Sequence, residues 1–277
     1  MKQKSLYTLL ISLLLLFPAF STDFSPAEEN LISEILDFRF NLRTFDSADA
    51  CLDQFPSYEK SVYESETYKN ASEEFSITVQ NLLKTAKYNC LYEKNLKDPQ
   101  LKDLMVGQYE KILAYNKNVD AQNRNKWYNV TSADIINSTM QFLPQSQAIK
   151  LGLEEKSIYD SMMETYPDFS YLFINSGLWY MFAPAIGGGS DQKALGFFQT
   201  ALENAHSNYE KYYAAIYYSQ LLFEKNKKDQ CNALLAQAEN LLPGKRYVKL
   251  IKLLNENDYS VFYYTNNREK VDKKLGL

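Results

Sequence analysis

The residues able to do covalent or metal chemistry are few. The 277-residue chain carries one histidine, His206, and three cysteines, Cys51, Cys90 and Cys231. A single histidine removes most zinc sites and most serine–histidine or cysteine–histidine nucleophile arrangements. No GxSxG, HExxH, EF-hand loop or Cys/His cluster occurs. His206 falls at the end of a predicted helix, where a partial positive charge is welcome. The carboxylate pairs Glu28–Glu29, Glu73–Glu74 and Glu154–Glu155 are adjacent in sequence. Neighbours point to different helix azimuths, so these pairs predict solvated faces. Gly187-Gly188-Gly189 invites a phosphate-site reading, but such a loop normally follows a strand, and a P-loop needs Lys-Ser or Lys-Thr after its last glycine. Here a predicted helix precedes it and Ser-Asp-Gln-Lys follows. The expectation is therefore a wide turn between antiparallel helices, in a protein that is not an enzyme and needs no metal or cofactor.

The elements that must position any site are read first from the ends. Lys2 and Lys4 precede the apolar run Leu6–Phe17, and Ala19 and Ser21 are the small residues of a cleavage site after Ser21. That layout predicts a secretory signal peptide over 1–21 and an exported protein, periplasmic or secreted. The run is short for a membrane span, which needs about 20 apolar residues. No second long apolar run exists, so no stable membrane insertion is expected after signal removal. Losing Lys2 and Lys4 takes the net charge from −4 to −6, which disfavours nucleic acid as a partner. Export permits disulfides. Cys51 and Cys90 both fall in the N-terminal half and could pair, whereas Cys231 reads as a core thiol. No CxxC occurs, which argues against a redox role. Asn70, Asn129 and Asn137 begin glycosylation sequons.

The rest predicts an all-α chain. Leucine numbers 36 against 8 valines, and there are only 9 glycines and 8 prolines, too few β-branched and turn residues for a sandwich or a doubly wound sheet. Ser25-Pro26-Ala27-Glu28 is a capping box with proline at the first helical position. Helices are expected over 71–95 and from Asp98-Pro99 onward. The Asn-rich stretch 116–126 reads as a loop or internal boundary, and Thr131 or Ser132 as the cap of the next helix. The expected organisation is an N-terminal helical region over 22–125, helical repeats over 126–257, and a polar C-terminal tail over 258–277.

The repeat rests on spacing. Ala194, Phe198 and Ala201 recur 37 residues later as Cys231, Leu235 and Ala238. Gly177 and Tyr180 recur 38 residues later as Ala215 and Tyr218, and Pro167 and Pro243 are two periods apart. Small residues let two helices approach closely, and the aromatic between them fills the groove. The unit is a helix hairpin stacked on its copy, a tetratricopeptide-like solenoid with irregular N-terminal helices. Upstream of Pro167 the triplet spacing falls on Glu155, Tyr159 and Met162, with a charge where a small residue belongs.

The string from Gly177 to Glu203 resembles exported bacterial tetratricopeptide-like proteins through Pro184, Gly187, Gly188, Lys193, Ala194, Phe198 and Ala201. Among these it is similar to the T-component of TRAP-type transporter systems. The resemblance implies a helical periplasmic protein that accompanies a substrate-binding protein and handles an apolar ligand. It does not extend to the N-terminal hundred residues, and the lipid-anchor cysteine of the commoner form is missing.

The 40 aromatics are the functional lead. In a hairpin repeat the first helix of each unit lines the concave side. Phe173, Gly177 and Tyr180 would then face the partner helix, leaving Tyr171, Ile174, Leu178 and Met181 to the groove. Tyr209, Tyr212, Ile216 and Ser219 take that role in the next unit. Such a groove suits a protein partner or an apolar small ligand; an amphipathic stripe is a core signal first. Two other readings stand beside this one: an envelope enzyme with two carboxylates in an aromatic cleft, such as a glycan hydrolase, and a structural subunit of a homo-oligomer.

Overall fold

A computed structural model describes residues 23–277; the expected leader over 1–21 lies outside the described residues. Among these the chain is all-helical, with no strand. The N-terminal part holds α1 (Pro26–Asn41), α2 (Ala48–Leu52), α3 (Phe55–Glu64), α4 (Glu66–Lys69), α5 (Glu73–Lys94) and α6 (Gln100–Asn116). Then come α7 (Lys126–Met140), α8 (Gln145–Thr165), α9 (Ser170–Phe182), α10 (Asp191–Glu203), α11 (Asn208–Glu224), α12 (Lys228–Leu241), α13 (Arg246–Glu256) and α14 (Val261–Leu275). No described helix is long and apolar enough to cross a membrane.

Local signals set most helix starts. Ser25 and Glu28 form the reciprocal capping box, with Pro26 opening α1. Ser207 and Glu210 do the same for α11, and Ser190 Oγ accepts from the Lys193 N–H at the start of α10. The start of α7 departs from expectation. Asn125, not Thr131 or Ser132, is its cap: Asn125 Oδ1 accepts from the Trp127 N–H at 2.8 Å, and the Asn125 N–H donates to Glu74 Oε1 at 2.8 Å. Thr131 and Ser132 instead lie inside α7 and receive bonds from Asn81 Nδ2 of α5, while Gln108 of α6 donates to Asn81 Oδ1 at 2.8 Å. This buried amide–hydroxyl set joins three helices and leaves only Gln108 Oε1 of its amide groups without a partner.

Within the stretch expected to hold hairpin repeats, each helix packs on the next in the chain. Helix α9 packs on α10, α10 on α11 and α11 on α12, and α9 also touches α11. Ala194, Phe198, Ala201, Cys231, Leu235 and Ala238 are all buried, as are Gly177, Tyr180 and Ala215, with Tyr218 half-buried. The approach at Gly177 is tight: a Cβ there would sit 2.4 Å from Phe198 Cε1. The loop after α9 needs its glycines. Gly188 has φ +100°, and a Cβ on Gly189 would fall 1.8 Å from the Ala183 carbonyl oxygen. Pro184, Gly187 and Pro243 sit in exposed or half-exposed turns.

Two expectations are corrected by packing. Residues 258–277 are not a polar tail. Ser260 caps α14, which buries Val261, Phe262 and Val271; three apolar anchors suffice for a helix that docks along one edge. The carboxylate pairs are not wholly solvated either. Glu74 is buried against Asn125, and Glu155 is completely buried. Adjacent helix residues lie about 100° apart, so in two of the three pairs one member turns inward while Glu73 and Glu154 face out; Glu28 and Glu29 are both half-buried. The main core runs from Phe24 to Phe262, so helices on both sides of residue 125 share it.

Candidate functional site

The sequence-predicted groove residues are mostly enclosed. Tyr171, Ile174, Tyr209, Tyr212, Ile216 and Ser219 are buried, with Leu178 and Met181 half-buried. The cause is α1, which packs against α11 and covers the face expected to stand open. Phe40 meets the Tyr212 ring edge-on at 5.5 Å, and the Arg39 guanidinium stands 4.9 Å from the centre of the Tyr209 ring. Tyr212 Oη is left buried without a hydrogen-bond partner. These side chains are core first.

Between α1 and its neighbours a partly open cavity of about 170 Å³ remains. Ile174, Leu178 and Tyr209 from the predicted set line it, and so do Cys51 and Cys90. Arg39, Arg43, Glu93, Asp134 and Tyr213 also line it and were not anticipated. One signal in the sequence points to them. Arg39 and Arg43 continue the apolar face of α1 marked by Ile32, Ile35 and Leu36, at helical spacing, where a charge is costly unless it has work there.

Arg39 is 7 % exposed. Its Nη1 donates to Tyr171 Oη at 2.9 Å, and Tyr171 Oη donates to Asp134 Oδ2 at 2.6 Å. Among the described residues no carboxylate lies within ion-pair distance of Arg39. Arg43 is held differently. Its Nε donates to Tyr213 Oη at 2.7 Å, its Nη1 lies 3.4 Å from Glu93 Oε2, and its guanidinium covers the Tyr247 ring at 4.4 Å. Arg246 of α13 also pairs with Glu93. Three arginines thus meet two carboxylates: Arg43 and Arg246 share Glu93, and Arg39 reaches Asp134 through the Tyr171 hydroxyl, which leaves the cluster one positive charge in surplus.

Burial pushes the Asp134 carboxyl up to about 6, against the pull of Arg39 and the Tyr171 hydrogen bond. Burial raises Glu155 well above the usual carboxylate range, and both its oxygens lack hydrogen-bond partners. Glu155 lines neither this cavity nor the larger, shallower one between α6, α7 and α8. The two buried acids therefore do not face a common space. No His/Cys/Asp/Glu group suited to a metal occurs among the described residues. His206 is exposed; its backbone N–H donates to Glu210 Oε2 at 3.1 Å, at the start of α11.

No protein-family model matches the chain, and no curated protein sequence matches it.

Proposed function

We propose that the protein is a non-catalytic, exported binding protein that holds a small monoanion, a carboxylate on a compact apolar or aromatic body, in the cavity beside α1. The observation that carries this reading is Arg39: a buried guanidinium, stacked on tyrosines, lining a cavity, with no acid in direct contact and Asp134 reached only through the Tyr171 hydroxyl. Arginine stays charged in such a place and presents a planar donor fork suited to carboxylate. A cavity near 150 Å³ accepts a benzene-sized molecule, so about 170 Å³ suits a ring or short chain. Ile174 and Leu178 would take the apolar body, and Tyr209 Oη and the free edge of Arg39 the charged end. This keeps the small-ligand part of the sequence reading and moves the site from an open concave face to a pocket under α1. In this reading the pairs α9–α10 and α11–α12 act as tetratricopeptide-like units whose inner side is closed by the N-terminal helices. Their role is that of a transport accessory.

The test is thermal unfolding with millimolar benzoate, benzamide or inorganic phosphate. Benzoate is expected to raise Tm, benzamide to leave it unchanged, and Arg39→Gln to remove the benzoate response. Equal responses to benzoate and benzamide, or an undiminished response in Arg39→Gln, would reject the assignment. A response to phosphate alone would replace carboxylate by phosphate as the ligand chemistry.

A further inference from the structure

The fold brings together two cysteines that lie 39 residues apart in sequence and on different helices. Cys51 of α2 and Cys90 of α5 share one small cluster with Leu42, Phe55 and Ala86, and each thiol is the largest influence on the other's acidity. Both are free thiols, and both line the cavity. Cys51 is 1 % exposed, so the cavity is its route to small solutes. As a thiol, Cys51 Sγ donates to the Leu42 carbonyl at 3.1 Å. Arg246 Nη2 stands 3.6 Å from Cys51 Sγ. The groups facing Cys51 are Arg43 from the turn after α1, Arg246 from α13, and Cys90 and Glu93 from α5. Cys231, by contrast, is buried on α12 and lines neither cavity described above.

We propose that Cys51 and Cys90 form a dithiol site that reacts with hydrogen peroxide entering the cavity and closes to a disulfide. The Cys51 thiolate attacks one peroxide oxygen. The S–O bond forms as the O–O bond breaks, and the leaving hydroxide becomes water with the proton that Cys51 released. The Cys90 sulfur then attacks the Cys51 sulfur. The S–S bond forms, the S–O bond breaks, and the departing hydroxide leaves as a second water with the Cys90 proton. Two thiols are oxidised by two electrons and one peroxide is reduced to two waters. The Cys90 hydrogen bond, with Arg246 and Arg43 nearby, lowers Cys51 to about 6, whereas the same contact and burial raise Cys90. One sulfur is thus readied as the nucleophile and the other kept as the resolving thiol. The site needs only the cavity and stands whether or not Arg39 binds a carboxylate.

The experiment is hydrogen peroxide treatment of the purified protein, followed by non-reducing peptide mass spectrometry. A Cys51–Cys90 cross-linked peptide is expected, with Cys231 still a thiol in the same molecules. Cys90→Ser is expected to accumulate a Cys51 sulfenic acid, trapped by a dimedone reagent. The wild-type rate should rise with pH through a midpoint near 6, in line with Cys51, and Arg246→Gln should move that midpoint upward. Oxidation of all three cysteines at one common rate would overturn the proposal. So would Cys51→Ser forming a Cys90 sulfenate as fast as wild type forms its disulfide. The comparison of Cys51 with Cys231 is internal to the wild-type protein and holds even if a variant folds poorly.

Discussion

Buried acids set the residue scale. Asp134 and Glu155 hold their protons more tightly folded than unfolded. The sign follows from linkage: where the native state binds more protons, stability falls as pH rises. The stabilising contribution of Asp134 is complete below about 4 and is lost as pH climbs through about 6. Glu155 adds to the same slope. The neighbouring Tyr159 hydroxyl does not offset its burial, so an apolar side chain of similar size should serve better there. Glu155→Met is expected to raise stability at pH 7 by about 1–3 kcal/mol and to flatten part of the decline between pH 4 and 7. Urea unfolding at several pH values checks this; an unchanged slope would mean that Glu155 does not titrate in the native range. The same residue shows what the sequence could offer. A charge at the triplet position of Glu155, Tyr159 and Met162 was visible, but whether it faced water or core depended on which helix covered α8, and no local pattern carries that.

At the scale of elements, α9 and α10 were the most legible part of the chain. Ser190 is a cap by residue type, the glycine run is a turn by residue type, and Gly177 paired with Phe198 is a close approach by spacing. All three need only neighbours within one hairpin. The covering of the predicted groove was not legible, because α1 meets α11 across 172 residues of chain (the Phe40 and Tyr212 rings touch). The cavity arginines were missed for the same reason, although their place on the apolar face of α1 marked them. The hairpin geometry can be checked with two glycines. Gly177→Ala puts a methyl group into the Phe198 ring, while a Cβ on Gly196 of α10 meets nothing within 4 Å. Alanine favours a helix over glycine by about 1 kcal/mol, so Gly196→Ala should stabilise by up to about that amount. Gly177→Ala should instead destabilise by about 1–3 kcal/mol through overpacking. Chemical denaturation of both variants decides it; equal effects at the two sites would mean that α9 and α10 are not pressed together at Gly177.

For the whole molecule, the question is what ties the C-terminal end to the N-terminal helices. The segment 258–277 reads as polar with an aromatic start at Tyr259, Phe262, Tyr263 and Tyr264, and three buried apolar residues in twenty are too weak a pattern to show that it docks. Yet Phe262 stacks with Phe198 and Tyr217 at 6.2 Å from each and meets Phe182 edge-on at 5.7 Å. The Val261 N–H donates to Gln220 Oε1 at 3.0 Å. Further along α14, Arg268 donates to the carbonyls of Tyr92 and Glu93 at 2.7 and 2.5 Å. Those carbonyls belong to the last turn of α5, whose oxygens have no partner within the helix, and a cation there also answers the helix dipole. Helix α14 is thus a strap from the α10–α11 hairpin to the end of α5, the helix that carries Cys90 and Glu93 on the cavity wall. Phe262→Ala should cost about 3–5 kcal/mol, as for a buried phenylalanine. Arg268→Ala should cost about 1.5–3 kcal/mol, as for a lost helix-end hydrogen bond to a charged group. Hydrogen exchange should locate the second effect in the last turn of α5, with faster exchange at residues 90–95 and little change in α9 or α10. If both variants unfold at the wild-type urea midpoint, α14 is a detached tail and the cavity wall does not depend on it.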